Sequence, residues 1–243
     1  MQADLLGRLH TAFAQTFKLP PKIAAQPGTT LQIRPNKSTQ SWHSLFPIGK
    51  HVVMPVALDH ADAVKTMLAT KPANYRMTRA DLIALWGEDH CETESEFFYA
   101  LEPDHFASFI PASPFDVRRL TVADQPLLDA MVAQCTPSEQ DAGDVSTGHE
   151  VAFGVFDGER VVAVASMYEW LACAELGVLT DPTYRGNGLG RAAVSGLAAH
   201  LFDMDETRPI LYRHDDSNIG SGKIAAALNF TQFAQVWSVR LCS

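Results

Sequence analysis

Apolar residues recur along the chain with two periods, and the periods change from segment to segment. Leu5, Leu9, Phe13 and Phe17 fall four apart, which predicts an amphipathic helix over residues 3–17, ended by Pro20-Pro21. Val52 to Val56 reads as a short strand, and Asp59 is placed to cap a helix carrying Val64, Met67 and Leu68. Thr78-Arg79-Ala80-Asp81 is a capping-box start for a helix running through Trp86. Phe97 to Leu101 and Phe106 to Ile110 read as strands, and Pro111-Ala112-Ser113-Pro114 reads as a linker.

Beyond the linker the order is clearer. Val117 to Leu120 predicts a strand, and Asp124 caps a helix containing Leu127, Leu128 and Met131. Residues 136–150 are polar and glycine-containing, which suits a mobile loop or a short helix. Val151 to Phe156, Asp157-Gly158 and Arg160 to Met167 form a hairpin pattern, because Asp-Gly suits a type I′ turn. A third strand is expected from about Cys173 to Thr180. A helix with Ala193, Leu197 and Leu201 on one face follows, then a strand over Ile210 to Arg213. A helix over Ile219 to Leu228 leads into a closing strand from Phe233 to Leu241. Strands followed by alternating helix and strand predict an α/β fold, a mixed sheet flanked by helices. The domain expectation is a smaller α/β domain over residues 1–113 and a second over residues 116–243.

Composition narrows the partners. With 243 residues, 47% of them hydrophobic, there is material for one large core or two small ones. The net charge of −9 argues against nucleic acid and agrees with a small or cationic partner. Four cysteines, Cys91, Cys135, Cys173 and Cys242, are scattered without a Cys-x-x-Cys pair, which favours free thiols in a reducing compartment. The N-terminal residues lack a basic segment followed by an apolar run, so the expectation is cytoplasmic, with no membrane partner.

The chemistry concentrates in Tyr184-Arg185-Gly186-Asn187-Gly188-Leu189-Gly190-Arg191, between a predicted strand and a predicted helix. Glycines allow positive φ and close approach to a ligand. The turn's N–H groups and the helix N-terminus together favour an anion. Arg185 and Arg191 can add charge-assisted hydrogen bonds. The loop lacks the lysine and Ser/Thr of a P-loop, and its glycines are spaced too tightly for a Rossmann turn. The pattern therefore points to a different pyrophosphate-binding loop.

Arg185-Gly186-Asn187-Gly188-Leu189-Gly190 resembles the Arg/Gln-x-x-Gly-x-Gly/Ala signature of the GNAT superfamily of acyl-CoA-dependent N-acyltransferases. Asn218-Ile219-Gly220-Ser221 and Leu228-Asn229-Phe230 are similar to that family's second block, in the right order. The resemblance spans about residues 116–243. It implies acetyl-CoA as co-substrate, with no metal, and an amine acceptor that is a small molecule or a peptide. It places the pyrophosphate on the N–H groups of Arg185 to Gly190 and the start of the helix at Leu189 and Arg191. The pantetheine arm lies against the strand edge at Val178, Leu179 and Thr180, with Asn218 and Ser221 contacting it from the next helix. Splaying or bulging of that strand frees an N–H for the oxyanion, with Gly177 as a place for it to give way. Glu175 is the candidate general base, with Glu169 as the alternative.

The family's tyrosine acid is missing, because its position is Ala225 here. A thiol of ordinary pKa about 8.5 is nonetheless a tolerable leaving group, and water, Ser221 or Tyr212 are the substitutes. A non-catalytic acyl-CoA sensor is the rival reading. The N-terminal half is expected to help form the acceptor pocket, to make a homodimer contact, or to be a worn second lobe. Asp89-His90-Cys91-Glu92 reads as a surface turn rather than a metal site, because adjacent side chains point different ways. His214-Asp215-Asp216 reads as a solvated loop, and Trp42, Trp86, Trp170 and Trp237 as packing residues. Ser195 lacks a nucleophile-elbow context. A covalent Cys173 intermediate would need an activated thiol.

Overall fold

The computed structural model describes residues 3–36, 42–87 and 91–241, so Asp89, His90 and Cys242 lie outside the described residues. In chain order the elements are α1 (Ala3–Thr16), β1 (Gly28–Arg34), β2 (His43–Ile48), β3 (His51–Ala57), α2 (Ala61–Ala69), α3 (Arg79–Trp86), β4 (Cys91–Leu101), β5 (Phe115–Arg119), α4 (Gln125–Val132), α5 (Pro137–Gly143), β6 (Val151–Asp157), β7 (Arg160–Trp170), β8 (Cys173–Thr180), α6 (Leu189–Met204), β9 (Ile210–Asp215), α7 (Ile219–Ala227) and β10 (Thr231–Leu241). The chain divides into two compact units. One is made of Gln2–Phe98, His214–Ser217 and Phe233–Ser243, the other of Tyr99–Arg213 and Asn218–Gln232.

The first unit orders its strands β1-β3-β2-β10-β4. β1 runs parallel to β3, while β2 pairs antiparallel with both β3 and β10. Leu45, Met54, Val56, Val64, Leu82 and Val239 are buried together. The α1 stripe of Leu5, Leu9, Phe13 and Phe17 is buried as its spacing predicts, with Phe13 edge-on to Phe98 and Phe233 at 6.3 and 5.9 Å. Thr78 and Asp81 make the expected capping box of α3. Asp59 does not cap α2: it lies in a single 3-10 turn, Leu58–His60, and the helix starts at Ala61 with no side-chain cap. His214 is buried rather than solvated, 5.9 Å from the Phe97 ring, and its Nδ1 lies 2.7 Å from the Asp215 carbonyl.

The second unit orders its strands β9-β8-β7-β6-β5, antiparallel except for β8 with β9. Both faces of β7 and β8 are covered, which explains their continuous apolar runs. Ala165, Met167, Ala174 and Leu176 pack under Ala193 and Leu197 of α6. Val164 and Leu179 point the other way, onto Leu128 and Met131 of α4. The hairpin register closes at Asp157↔Arg160, and Gly158 takes the left-handed conformation at φ 58°. Residues 136–150 begin with a real helix: Thr136 and Glu139 form a capping box and Pro137 opens α5.

Residues 106–110, expected to be a strand, are extended but unpaired to any sheet. They run as a strap along α6. Phe106 packs on Phe202 at 5.7 Å, and the Phe109 N–H donates to Ser195 Oγ at 2.7 Å. A strand needs a neighbouring edge, and here a helix flank supplies the contacts instead.

Candidate active site

Two features of the second unit meet at the end of β8. The first is a split in the sheet. β8 and β9 pair in parallel only at Ala174↔Ile210 and Glu175↔Leu211, after which β8 continues to Thr180 without a further β9 partner. The edge from Leu176 to Thr180, which includes Val178 and Leu179, is therefore left open on that side. The second feature is the glycine loop. Pro182–Tyr184 forms a 3-10 turn, Gly186 and Gly188 adopt φ of 85° and 73°, and α6 begins at Leu189 with Gly188 as its N-cap. The first N–H groups of any helix have no intrahelical acceptor, so this end of α6 presents donors.

The loop is tied down from beneath. Asp181 is buried; its Oδ1 accepts from the Thr183 N–H at 2.9 Å and its Oδ2 from Arg160 at 2.5 Å. Burial pushes its carboxyl up, but the hydrogen bonds from Thr183 and the charge of Arg160 outweigh this and hold it below the usual carboxylate range. Arg185 turns back on the protein, donating from Nε to the Thr180 carbonyl at 3.2 Å and from Nη1 to Glu139 at 2.7 Å. Asn187 donates to the Tyr184 carbonyl at 3.1 Å. A Cβ on Gly190 would sit 2.8 Å from Thr180 Oγ1 and 3.2 Å from Ile224, so this glycine lets α6 close on both β8 and α7. A Cβ on Gly186 would meet nothing within 4 Å, so the space above the turn is open.

α7 begins next to this point. Asn218 caps it, its Oδ1 accepting from the Ser221 N–H at 3.0 Å. Ala225 is fully buried, and no tyrosine occupies that turn of α7. Tyr212, the first β9 residue past the last β8 pair, is buried against Phe230 at 5.4 Å. Burial pushes its phenol well above the ordinary value, and a hydrogen bond with Ser221 offsets only part of that.

Glu175 lies on the other face of the sheet, at the last paired position. Its carboxylate is buried and accepts a hydrogen bond from Arg213 Nε. Arg213 in turn lies over the Trp170 ring at 4.6 Å. Tyr168 stands opposite Glu175 in the β7–β8 register, and burial together with the Glu175 charge pushes its phenol up to about 12. His149 joins the group, with its ring 5.0 Å from Tyr168 and Nδ1 2.9 Å from Ser166 Oγ. The alternative base, Glu169, is exposed and lies 3.5 Å from Arg208. Arg213, Tyr168 and His149 were not singled out from sequence. The signal for Arg213 was a charged residue ending an apolar strand.

Gly177 lies just past the point where β8 parts from β9, so the strand splays there on one side, but it does not bulge on the other. The β7–β8 register runs through it without a bulge, from Ala163↔Thr180 to Trp170↔Cys173. Its missing side chain instead admits the carbonyl oxygens of Gly143 and Asp144 at the end of α5. Cys173 is buried, and burial pushes its thiol up to about 12, so it is not an activated nucleophile. Among the described residues no group of three or more His, Cys, Asp or Glu side chains could hold a metal ion.

The family model of the acetyltransferase (GNAT) domain matches residues 97–231, more than half of the chain. The chain belongs to the GNAT acetyltransferase family. Its fold is also similar to solved structures at low identity. A GCN5-related N-acetyltransferase from Sphaerobacter thermophilus is 11% identical with a TM-score of 0.54, over 73% of this chain and 64% of that one. One from Kribbella flavida is 15% identical with a TM-score of 0.52, over 67% and 64%. A GNAT-family acetyltransferase from Colwellia psychrerythraea is 13% identical with a TM-score of 0.52, over 79% and 76%. The chain thus spans less than two thirds of the Sphaerobacter and Kribbella proteins. No curated protein matches it in sequence. Among the described residues no helix is long and apolar enough to cross a membrane.

The GNAT fold typically uses acetyl-CoA, and the residues present fit that group. The open space above Gly186, the donor end of α6 and the unpaired edge of β8 are what a diphosphate and an extended amide arm require.

Proposed function

We propose that this GNAT protein transfers an acetyl group from acetyl-CoA to an amine, either a small molecule or a peptide, by direct attack in a ternary complex. The observation that carries the reading is the parting of β8 and β9 at Glu175↔Leu211, next to the open glycine turn that starts α6.

Acetyl-CoA supplies an acyl group activated as a thioester. Gly186, Asn187, Gly188, Leu189 and Gly190 bind its diphosphate through backbone N–H groups, with Arg191 adding positive charge beside them, while Arg185, paired with Glu139, holds the turn in place. Val178, Leu179 and Thr180 offer an unpaired strand edge to the pantetheine amides, and Asn218 and Ser221 flank it from α7. A β8 N–H donates to the carbonyl oxygen as negative charge develops there. Glu175 takes the proton of the acceptor ammonium, whose ordinary pKa is near 10.4, through a water, because the carboxylate itself is buried and held by Arg213. A protonated Cys173 supports direct transfer rather than an acyl-enzyme. The free, buried thiols of Cys135 and Cys173 support a reducing, cytoplasmic setting.

The test is calorimetric titration with acetyl-CoA, paired with free-thiol release against a panel of amines, amino acids and peptides. Binding with thiol release in the presence of one acceptor is the expected result. Binding without release across the panel would favour a non-catalytic acyl-CoA sensor, the second reading, which Ala225 motivates. Absence of binding would overturn both.

A further inference from the structure

Two hydrogen-bond donors stand unspent on the α4 and α5 face of the sheet, beside the point where β8 parts from β9. The first is the Tyr168 hydroxyl. Its oxygen accepts from Arg213, whose Nε also donates to Glu175. Burial and the Glu175 charge push the phenol up to about 12, so it keeps its proton at neutral pH. Among the described residues that hydroxyl donates to no acceptor. The second donor is Nε2 of His149, and its proton follows from the bonds behind the ring. Ser166 is buried, and its Oγ accepts from the Ser146 N–H at 3.2 Å. A buried hydroxyl must place its own proton, and His149 Nδ1, 2.9 Å away, is the acceptor that the structure offers. Nδ1 therefore accepts, and the ring carries its proton on Nε2. An oxygen of the Asp144 carboxylate is 4.0 Å from that nitrogen, beyond hydrogen-bond range. The two rings lie 5.0 Å apart, and neither side chain is buried, whereas Glu175 is.

We infer that Tyr168 and His149 read an uncharged carbonyl oxygen on the acceptor, so that the preferred acceptor is a primary amine with a carbonyl on the adjacent carbon, as in an amino-acid amide or a peptide N-terminus. The inference rests on the transfer reading above and narrows its acceptor. Two neutral donors side by side suit one oxygen with two lone pairs. They stand beside Glu175, the group that receives the amine proton, so amine and carbonyl are recognised at neighbouring points. A simple alkylamine would displace water from both donors and leave them without a partner, which costs binding free energy. A free carboxylate is disfavoured by charge. Arg213 is already paired with Glu175, and Asp144 keeps a second negative charge near His149. Trp170, under the Arg213 guanidinium at 4.6 Å, fixes the group that orients the Tyr168 hydroxyl. Tyr168 and His149 thus act on the choice of acceptor.

The test uses the full chain and acetyl transfer to glycinamide, glycine and ethylamine. Each variant is compared with wild type on the same amines, so that their different basicities cancel. Tyr168→Phe removes the hydroxyl and keeps the ring. It should lower kcat/KM for glycinamide roughly tenfold more than for ethylamine, the upper range for one neutral hydrogen bond. His149→Leu should act in the same sense, and His149→Gln, which keeps an N–H donor, should recover part of the loss. Asp144→Asn should raise glycine relative to glycinamide by about two- to fivefold, the range for an exposed charge pair. Imidazole nitrogen resonances of the donor-free protein in mildly alkaline buffer should report the His149 proton on Nε2. Equal losses for glycinamide and ethylamine in Tyr168→Phe, or a His149 proton on Nδ1, would overturn the inference while the transfer reading stands. Acetyl-CoA binding with transfer to none of the three amines would overturn it too and favour the sensor reading. A chain that does not bind acetyl-CoA would sink the inference together with the reading it rests on.

Discussion

Arg213 reaches Glu175 across the point where β8 and β9 stop pairing, and the two form an ion pair in which the carboxylate is buried. The pair sits on the sheet face that carries α4 and α5, opposite the face that carries α6. A negative charge with a fixed orientation is thereby kept beside the split, flanked by Trp170, Tyr168 and His149.

Glu175→Gln is expected to lower kcat by about 100-fold, the modest end for loss of a general base, with acetyl-CoA affinity unchanged. Steady-state kinetics and calorimetry on the same preparation check this. Transfer at the wild-type rate across pH would remove Glu175 from the chemistry.

Gly188→Trp places a large side chain at a left-handed N-cap whose Cβ would stand 3.5 Å from Phe109. It should weaken acetyl-CoA binding by at least about tenfold, or 1.4 kcal/mol, and also cost some stability through the strained φ. Isothermal titration and thermal unfolding separate the two effects. Wild-type affinity would mean that the diphosphate binds elsewhere.

Gly177→Ala tests the packing of α5 on β8. The added methyl meets the carbonyl oxygens of Gly143 and Asp144, so the backbone must shift, at about 1–3 kcal/mol. A clear fall in Tm is expected. A hinge glycine in a loosened strand would instead tolerate alanine with little change.

Acid should weaken the second unit in a defined window. Arg185 first, then Thr136, hold the Glu139 carboxyl down to about 2, and Arg118 with Thr121 depress Asp124 below the usual carboxylate range. A depressed native pKa adds stability that is fully present above the unfolded value, near 4.5 for Glu139, and is lost as pH falls through the native one. Tm should therefore decline from about pH 4.5 toward pH 2, and Asp124→Asn should flatten part of that decline. The Glu139 side chain is 35% exposed, so solvent screens its pair with Arg185 and its share is small. An Asp124→Asn variant with the full wild-type slope would contradict this account.

Local pattern alone determined much of this protein. The i, i+4 stripe of α1, the capping box at Thr78, the hairpin strands around Gly158 and the glycine spacing that opens α6 were all legible, because each depends on residues a few positions apart. The GNAT signature was legible for the same reason, since a turn with positive φ constrains which residues can stand there. Other features depended on what lies across space. The strap at 106–110 carries the apolar run of a strand, but no sheet edge is beside it, and Ser195 and Arg191 take its contacts instead. Gly177 stood where a strand was expected to yield, yet its role is set by two carbonyls more than thirty residues earlier in the chain. The pairing of β10 with β2, the partnership of Arg213 with Glu175 and the place where β8 leaves β9 are likewise long-range. Periodicity reports which face of an element is buried. It does not report which distant group covers that face, and that is what the tertiary structure decided.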